Sequence, residues 1–156
     1  MDTLDLRALI DEADSPLTPE ARLVLLASDE NELVRVHVAI NIRTPTEALA
    51  HLAEDTADNV RWRVAANPST PPEVLSYLAR DENPYVRGQV AANPSTPFTV
   101  LACLVGDEDT EIKEYVAKVL NRHPTTDLVE LLKVDFPEAS TDMPRDWLLE
   151  LLSVSV

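Results

Sequence analysis

Two columns of apolar residues recur along this chain with a period of 26 residues. The first is a valine–alanine pair, at Val38-Ala39, Val64-Ala65, Val90-Ala91 and Val116-Ala117. The second is a leucine, at Leu52, Leu78 and Leu104. A Thr-Pro pair keeps the same step, at Thr18-Pro19, Thr44-Pro45, Thr70-Pro71 and Thr96-Pro97. A fixed period of this length predicts a solenoid, in which neighbouring repeats bury their apolar faces against each other.

One repeat, from Asp81 to Gly106, predicts two short antiparallel helices. In the first helix Asn83 is the predicted N-cap and Pro84 takes the first helical position, where no N–H is needed. Val86, Val90 and Ala91 form its buried face. The helix ends at Asn93-Pro94, because asparagine tolerates a left-handed C-terminal conformation and proline cannot continue a helix.

The Thr-Pro pair predicts the start of the second helix. Thr96 is expected to cap it, with Pro97 at its first position and Val100, Leu101 and Leu104 as its apolar stripe. Two other copies predict a full capping box, Thr44 with Glu47 and Thr70 with Glu73. The fold class is therefore all-α, an α-solenoid of helix pairs, and helices this short leave open whether one of each pair is a 3₁₀ helix.

The terminal units differ from the central repeats, as the open ends of a solenoid require. The sequence predicts one repeat domain over residues 1–156, with an N-terminal capping helix over 1–14 and repeats over 15–132. Residues 133–156 are predicted as a loop, Lys133 to Thr141, and an amphipathic helix, Pro144 to Leu152. That helix is interpreted as a C-terminal cap; the alternative is a helix that docks on a partner.

Several columns together identify a resemblance to a known family. Asp55, Val60-Arg61, Val64-Ala65, Asn67-Pro68, Thr70-Pro71, Leu75 and Leu78-Ala79 fill one complete motif, and the next repeat fills it again except at Val105. Over roughly residues 15–132 the chain resembles the bacterial leucine-rich repeat variant family, which implies a right-handed superhelix of short helices. The founding type carries an N-terminal cysteine cluster for an iron–sulfur centre, but Cys103 is the only cysteine here. No cofactor is therefore expected.

A net charge of −15 and a pI near 4.4 narrow the choice of partner. Long-range repulsion opposes binding to nucleic acid and to anionic membranes, so a basic protein or peptide is the expected partner. The alternative is that acidity serves only solubility. The first residues have no basic region before an apolar core, and no apolar run reaches membrane-spanning length, so a cytoplasmic location is expected.

Two charged columns recur with the repeats. Asp29, Asp55, Asp81 and Asp107 form one, and Arg35, Arg61, Arg87 and Lys113 form the other. One interpretation is a row of cations that grips an acidic or phosphorylated ligand. The other is a structural Asp–Arg network that ties each inter-repeat turn to the next helix. Since recurring positions in a solenoid serve stacking, the structural interpretation is favoured.

Columns that vary between repeats are the better candidates for a partner site. Two of them lie between the buried valines of the first helix and are expected to face outward. The candidate partner-binding residues are His37, Trp62, Arg63, Tyr85, Gln89 and Tyr115. Tryptophan, tyrosine and arginine are enriched at interface hot spots. For Trp62 the alternative is partial burial against the next repeat.

Catalytic chemistry finds little support in the sequence. His51, Tyr77 and Cys103 occupy equivalent positions in successive second helices, but repeats about 10 Å apart separate the cysteine from the histidine. Cys103 is instead expected to be a small packed residue. His37, His51 and His123 lack metal-ligand spacing. The expected function is a non-enzymatic protein- or peptide-binding scaffold, a monomer or weak homo-oligomer. The alternatives are an enzyme of the HEAT-like bilin-lyase or glycosylase kind and a self-assembling structural protein.

Overall fold

The protein's structure is a computed structural model that describes residues 3–120 and Val129. Within these residues the chain is all-helical, with no strand. The helices are α1 (Thr3–Asp14), α2 (Glu20–Leu26), α3 (Glu32–Ile40), α4 (Thr46–Leu52), α5 (Asp58–Ala66), α6 (Pro72–Leu78), α7 (Pro84–Ala92), α8 (Phe98–Cys103) and α9 (Thr110–Leu120). The predicted all-α solenoid of short helix pairs is confirmed. The predicted loop and cap over 133–156 lie outside the described residues.

The chain forms two compact units, Met1–Ser95 and Thr96–Val156. In the first unit α1, α3, α5 and α7 lie side by side as the first helices of successive repeats, and α2 and α4 contact each other in a second layer. In the second unit α8 packs on α9. No helix among residues 3–120 is long and apolar enough to cross a membrane.

The predicted apolar columns form the core. Val38, Val64 and Val90 are completely buried, and the alanine that follows each of them is at most 4% exposed. Small alanines allow the first helices to approach closely, which lets each short repeat bury its apolar face against the next.

Both helices of each pair are α-helices. The second helices are shorter, with 7 residues in α4 and α6 and 6 in α8, against 9 in α3, α5 and α7. Their first turns nevertheless close α-type bonds, such as Leu49 N to Pro45 O at 3.0 Å and Leu75 N to Pro71 O at 3.1 Å. The open choice between α and 3₁₀ is thus answered for the described repeats.

The threonine prediction was wrong. Proline is the N-cap of the second helices, with Pro45 at φ −68° and ψ 154°, and no side chain caps them. The hydroxyl of Thr44 instead donates to the carbonyl of Val38 at 2.5 Å, and Thr70 donates to Val64 at 2.6 Å. The predicted capping boxes are absent because the threonine lies one residue outside the helix. It adds a hydrogen bond to a carbonyl in the last turn of the preceding helix, which also accepts from the N–H of Asn41 or Asn67.

The asparagine at the end of each first helix also differs from expectation. Asn41, Asn67 and Asn93 are extended, with φ between −65° and −71°, and not left-handed. Their buried side chains reach back one repeat. Asn67 Nδ2 donates to the carbonyls of Ala39 at 2.7 Å and Asn41 at 3.0 Å, and Asn93 repeats this with Ala65 and Asn67. We call this row the asparagine ladder. It hydrogen-bonds each repeat to the one before.

Helix α1, which lies within the predicted N-terminal capping helix over 1–14, takes the place of a first helix. Asn41 Nδ2 donates to the carbonyl of Ala13 at 2.7 Å, as Asn67 does to Ala39. Thr18 donates to the carbonyl of Glu12, as Thr44 does to Val38. Helices α1 and α2 therefore form a complete, divergent repeat.

Candidate functional site

The Asp and Arg columns form an internal network within the first unit. Arg35 binds Asp55 of the following repeat through two hydrogen bonds, at 2.6 Å and 3.0 Å. Its third nitrogen donates to the carbonyl of Asp29 at 2.8 Å. Arg61 binds Asp81 at 2.7 Å and 3.1 Å in the same way. The structural interpretation is confirmed, and the ion pair joins an arginine to the aspartate 20 residues later.

Hydrogen bonds within this network favour the ionised forms of its side chains. Burial acts to raise the pKa of Asp55, but hydrogen bonds from Arg35 and from the Ala57 N–H outweigh it and leave that pKa below its ordinary value. The hydrogen bond that Arg35 donates to Asp55 raises the pKa of Arg35, and the one that Arg61 donates to Asp81 raises the pKa of Arg61. Guanidinium groups bound in this way are not a row of cations open to an acidic ligand.

We predict that this network makes the free energy of unfolding depend on pH in the acid range. Because the pKa of Asp55 is lower in the folded chain, its ionised form stabilises the fold above pH about 4, and this is lost as pH falls through the folded pKa. Asp55→Asn should lower the free energy of unfolding by about 2 kcal/mol at pH 7. The difference in the free energy of unfolding between the wild-type chain and Asp55→Asn should shrink toward pH 3 in denaturant titrations. Glu73→Gln controls for losing one exposed charge, and a difference unchanged down to pH 3 would contradict the assignment.

Two open grooves lie above this network. One, of about 550 Å³, is lined by Glu54, Asp55, Arg61, Tyr77, Arg80, Asp81 and Glu82. The other, of about 480 Å³, lies one repeat earlier and shares Glu54 and Asp55 with it. Carboxylates outnumber the two arginines in the first groove, and one of these arginines, Arg61, is engaged with Asp81. The grooves therefore do not suit an anionic ligand.

The outward side of α3, α5 and α7 is the second candidate surface. Four positions on α3, two on α5 and two on α7 point away from the buried valines. We call this surface the first-helix face and define it by Leu33, Val36, His37, Ile40, Trp62, Arg63, Tyr85 and Gln89. Leu33 is 51% exposed, Ile40 40% and Tyr85 77%. This concentration of exposed apolar side chains in one layer is typical of an interaction surface.

Trp62 and Arg63 form one stacked unit on this face. The guanidinium carbon of Arg63 lies 4.4 Å from the centroid of the Trp62 ring. Both residues are half-buried, and burial of Trp62 against the next repeat stays a prediction. Holding both planar groups in place lowers the side-chain entropy lost when a partner covers them.

The other candidate residues fall in three situations. His37 already has a partner within the chain, since its Nδ1 lies 2.6 Å from an Asp14 carboxylate oxygen. Tyr85 and Gln89 lie one turn apart on α7, and Gln89 is half-buried. Tyr115 is 44% exposed on α9, in the second compact unit. The first unit thus gathers five of the six predicted residues on one layer of helices.

A row of carboxylates borders the first-helix face. These residues are exposed at or just before the N-terminal ends of α3, α5 and α7, and we call them the acidic edge: Glu30, Glu32, Asp58 and Glu82. Their contacts are few, such as Asn59 Nδ2 to Glu32 at 3.3 Å and Asn83 Nδ2 to Asp58 at 2.7 Å. The edge leaves the face negative on one side and favours a cationic partner there.

The described second helices α4, α6 and α8 carry the remaining candidate catalytic residues. Ser28 Oγ lies 3.2 Å from His51 Nε2, but the carboxylate of Asp55, one turn after His51, is held by Arg35. Cys103 is exposed, which corrects the prediction of a packed residue, because its column faces outward like Tyr77. Within residues 3–120 and Val129, no three histidine, cysteine or acidic side chains are grouped as metal ligands.

Comparison with models of known families shows to which family this chain belongs. The model of the Leucine Rich Repeat Variant domain matches residues 35–89 and 61–120, which together span more than half of the 156 residues. The chain belongs to the leucine-rich repeat variant family. Neither a curated protein nor a solved structure matches it.

Membership of the leucine-rich repeat variant family makes this chain a repeat scaffold. The asparagine ladder and the Asp–Arg network recur inside the matched region, which explains why those positions keep their identity. Residues that differ between its repeats lie in the outward column His51, Tyr77 and Cys103 of the second helices and also on the first-helix face. Sequence reasoning missed Leu33 and Ile40 there, because leucine and isoleucine at helical spacing are ordinarily assigned to the core. Their offset from the Val-Ala column was the available signal.

Proposed function

We propose that this leucine-rich repeat variant protein is a non-enzymatic scaffold that binds a basic protein or peptide on its first-helix face. The observation that carries the proposal is the exposed apolar and aromatic layer beside the acidic edge. Large exposed apolar groups beside exposed carboxylates, of which Glu82 lies 3.8 Å from Arg61, favour a partner that brings apolar side chains and positive charge.

The remaining polar features support a scaffold over an enzyme. The repeated arginines and asparagines serve contacts between repeats, and the Ser28–His51 pair lacks an orienting carboxylate. We propose that the protein acts in the cytoplasm, without a cofactor, as a monomer or weak homo-oligomer. Its charge of −15 supports a partner other than nucleic acid or an anionic membrane.

The chain offers a matched pair of variants to test this proposal. Trp62→Ala/Arg63→Glu removes an aromatic ring and reverses one charge on the first-helix face. Tyr77→Ala/Arg80→Glu makes the same kind of change on the second-helix side, where both residues are exposed. We expect affinity capture from the native host's lysate to lose the basic partner at least about 10-fold with the first variant and less than 2-fold with the second.

Thermal melts of both variants must show an intact fold before the capture is compared. Retention of the same proteins by both variants would contradict the proposed site. Capture of no protein by the wild-type chain would contradict a protein-binding function.

A further inference from the structure

We infer that the occupant of the first-helix face is an amphipathic α-helix with a basic flank. This inference rests on the proposed function and specifies the form of the partner. The face consists of the sides of α3, α5 and α7, where backbone N–H and C=O groups are paired within each helix. It has no strand edge to which an extended peptide can add.

The polar side chains on the face are too few to replace such an edge. Arg63 is stacked on Trp62, and His37 is bound to Asp14. An extended segment docked here would leave its buried backbone groups without hydrogen-bond partners, which weakens binding. A helix satisfies its own backbone and needs only apolar side chains toward the surface. The chemistry of the face therefore selects a helical partner.

The apolar positions set the size of that helix. Leu33 and Ile40 lie on α3, Trp62 on α5 and Tyr85 on α7, so the surface runs across three helices. Neighbouring helix axes are about 10 Å apart, which gives about 20 Å from α3 to α7. A helix rising about 1.5 Å per residue spans this with about 14 residues.

Charge sets the orientation of the partner helix. The acidic edge lies at the N-terminal ends of α3, α5 and α7, and Glu82 has a side chain that is 91% exposed. A helix lying across the face places one of its flanks along this edge. Lysine or arginine on that flank meets the carboxylates, while its apolar stripe covers Trp62 and Tyr85.

Two synthetic peptides of about 18 residues and identical composition test the inference. One places leucines at i, i+3, i+4 and i+7 with lysines along one flank, and the other scrambles this order. Fluorescence anisotropy with the full-length protein should show the patterned peptide binding at least about 10-fold more tightly. Circular dichroism should show it gaining helix when bound.

Variants locate the bound peptide on the protein. Trp62→Ala/Tyr85→Ala should weaken the patterned peptide at least about 10-fold, whereas Leu25→Ala/Tyr77→Ala, exposed on the second helices, should change binding less than 2-fold. Neutralising three carboxylates of the acidic edge, as Glu32→Gln/Asp58→Asn/Glu82→Gln, should weaken it about 5-fold at low salt. The matched triple variant on the second helices is Glu20→Gln/Glu47→Gln/Glu73→Gln.

The outcomes separate this inference from the proposed function. Equal binding of both peptides, weakened by Trp62→Ala/Tyr85→Ala, would support a basic-peptide site and overturn the helical partner. No binding of either peptide would also overturn the helical partner, while the lysate capture judges the proposed function. A dimer in sedimentation that the same variant dissociates would show that a second copy covers the face, and would overturn the inference.

Discussion

Val90→Asp is expected to unfold the first compact unit cooperatively. Val90 is completely buried on α7, which packs on α5, and a carboxylate there would have no cationic partner in the apolar column. Burying an unpaired charge costs at least about 4 kcal/mol, a large part of the 5–15 kcal/mol that stabilises a typical domain. Each short repeat depends on its neighbours for its core, so the damage should extend beyond α7.

Thermal melts followed by circular dichroism measure this effect. We expect the midpoint for Val90→Asp to fall by at least about 10 °C, or the cooperative transition to disappear. Ser76→Asp is the control, since it adds the same charge at an exposed position in the middle of α6. A wild-type melting curve for Val90→Asp would refute the repeat register.

Asn67→Ala is expected to have the second-largest effect. The side chain is only 3% exposed and donates to the carbonyls of Ala39 and Asn41 in the preceding repeat. Its Oδ1 also accepts from the N–H of Ser69 at 2.9 Å. The substitution leaves the buried Ala39 carbonyl and the turn without these partners, so the free energy of unfolding should fall by about 3 kcal/mol.

An exposed asparagine supplies the matched control. Asn59→Ala makes the same chemical change where the side chain has one long bond, 3.3 Å to Glu32. Its effect should stay within about 0.5 kcal/mol in denaturant titrations. Equal losses for the two substitutions would show that the asparagine ladder does not stabilise the stack.

Much of this fold follows from the sequence because each repeat packs on the next through the same positions, which therefore need the same residue types. Ala65, for example, packs between first helices and has to be small and apolar. The same holds for the equivalent position in each repeat, so the 26-residue period reveals it. The Asp–Arg network was predictable for the same reason. Which aspartate each arginine binds was not, because a column shows that residues recur and not which neighbour they face.

The errors arose where one residue type serves two local purposes. Thr44 has the sequence context of an N-cap, yet it donates to the carbonyl of Val38, because Pro45 takes the capping position. Asn67 resembles a left-handed helix end, yet it uses its amide to bond the preceding repeat. In both cases a contact to a preceding helix decided the outcome, and local propensity does not contain that contact.

The candidate site was predictable only in part. Variation between repeats drew attention to Trp62, Arg63 and Tyr85, but sequence alone did not show the stacking of Arg63 on Trp62. The acidic edge was harder to see, because Glu32 and Asp58 share one 26-residue column and Glu30 and Glu82 another, and each column also contains a residue that is not acidic. They come together only because the first helices begin along one side of the stack.

The lysate capture with the two double variants tests the central claim most directly. The quantity to measure is the amount of each captured protein relative to the wild-type chain. Binding on the first-helix face predicts that a basic protein is lost with Trp62→Ala/Arg63→Glu and kept with Tyr77→Ala/Arg80→Glu. Loss with the second variant and retention with the first would contradict the claim and place the site on the second helices.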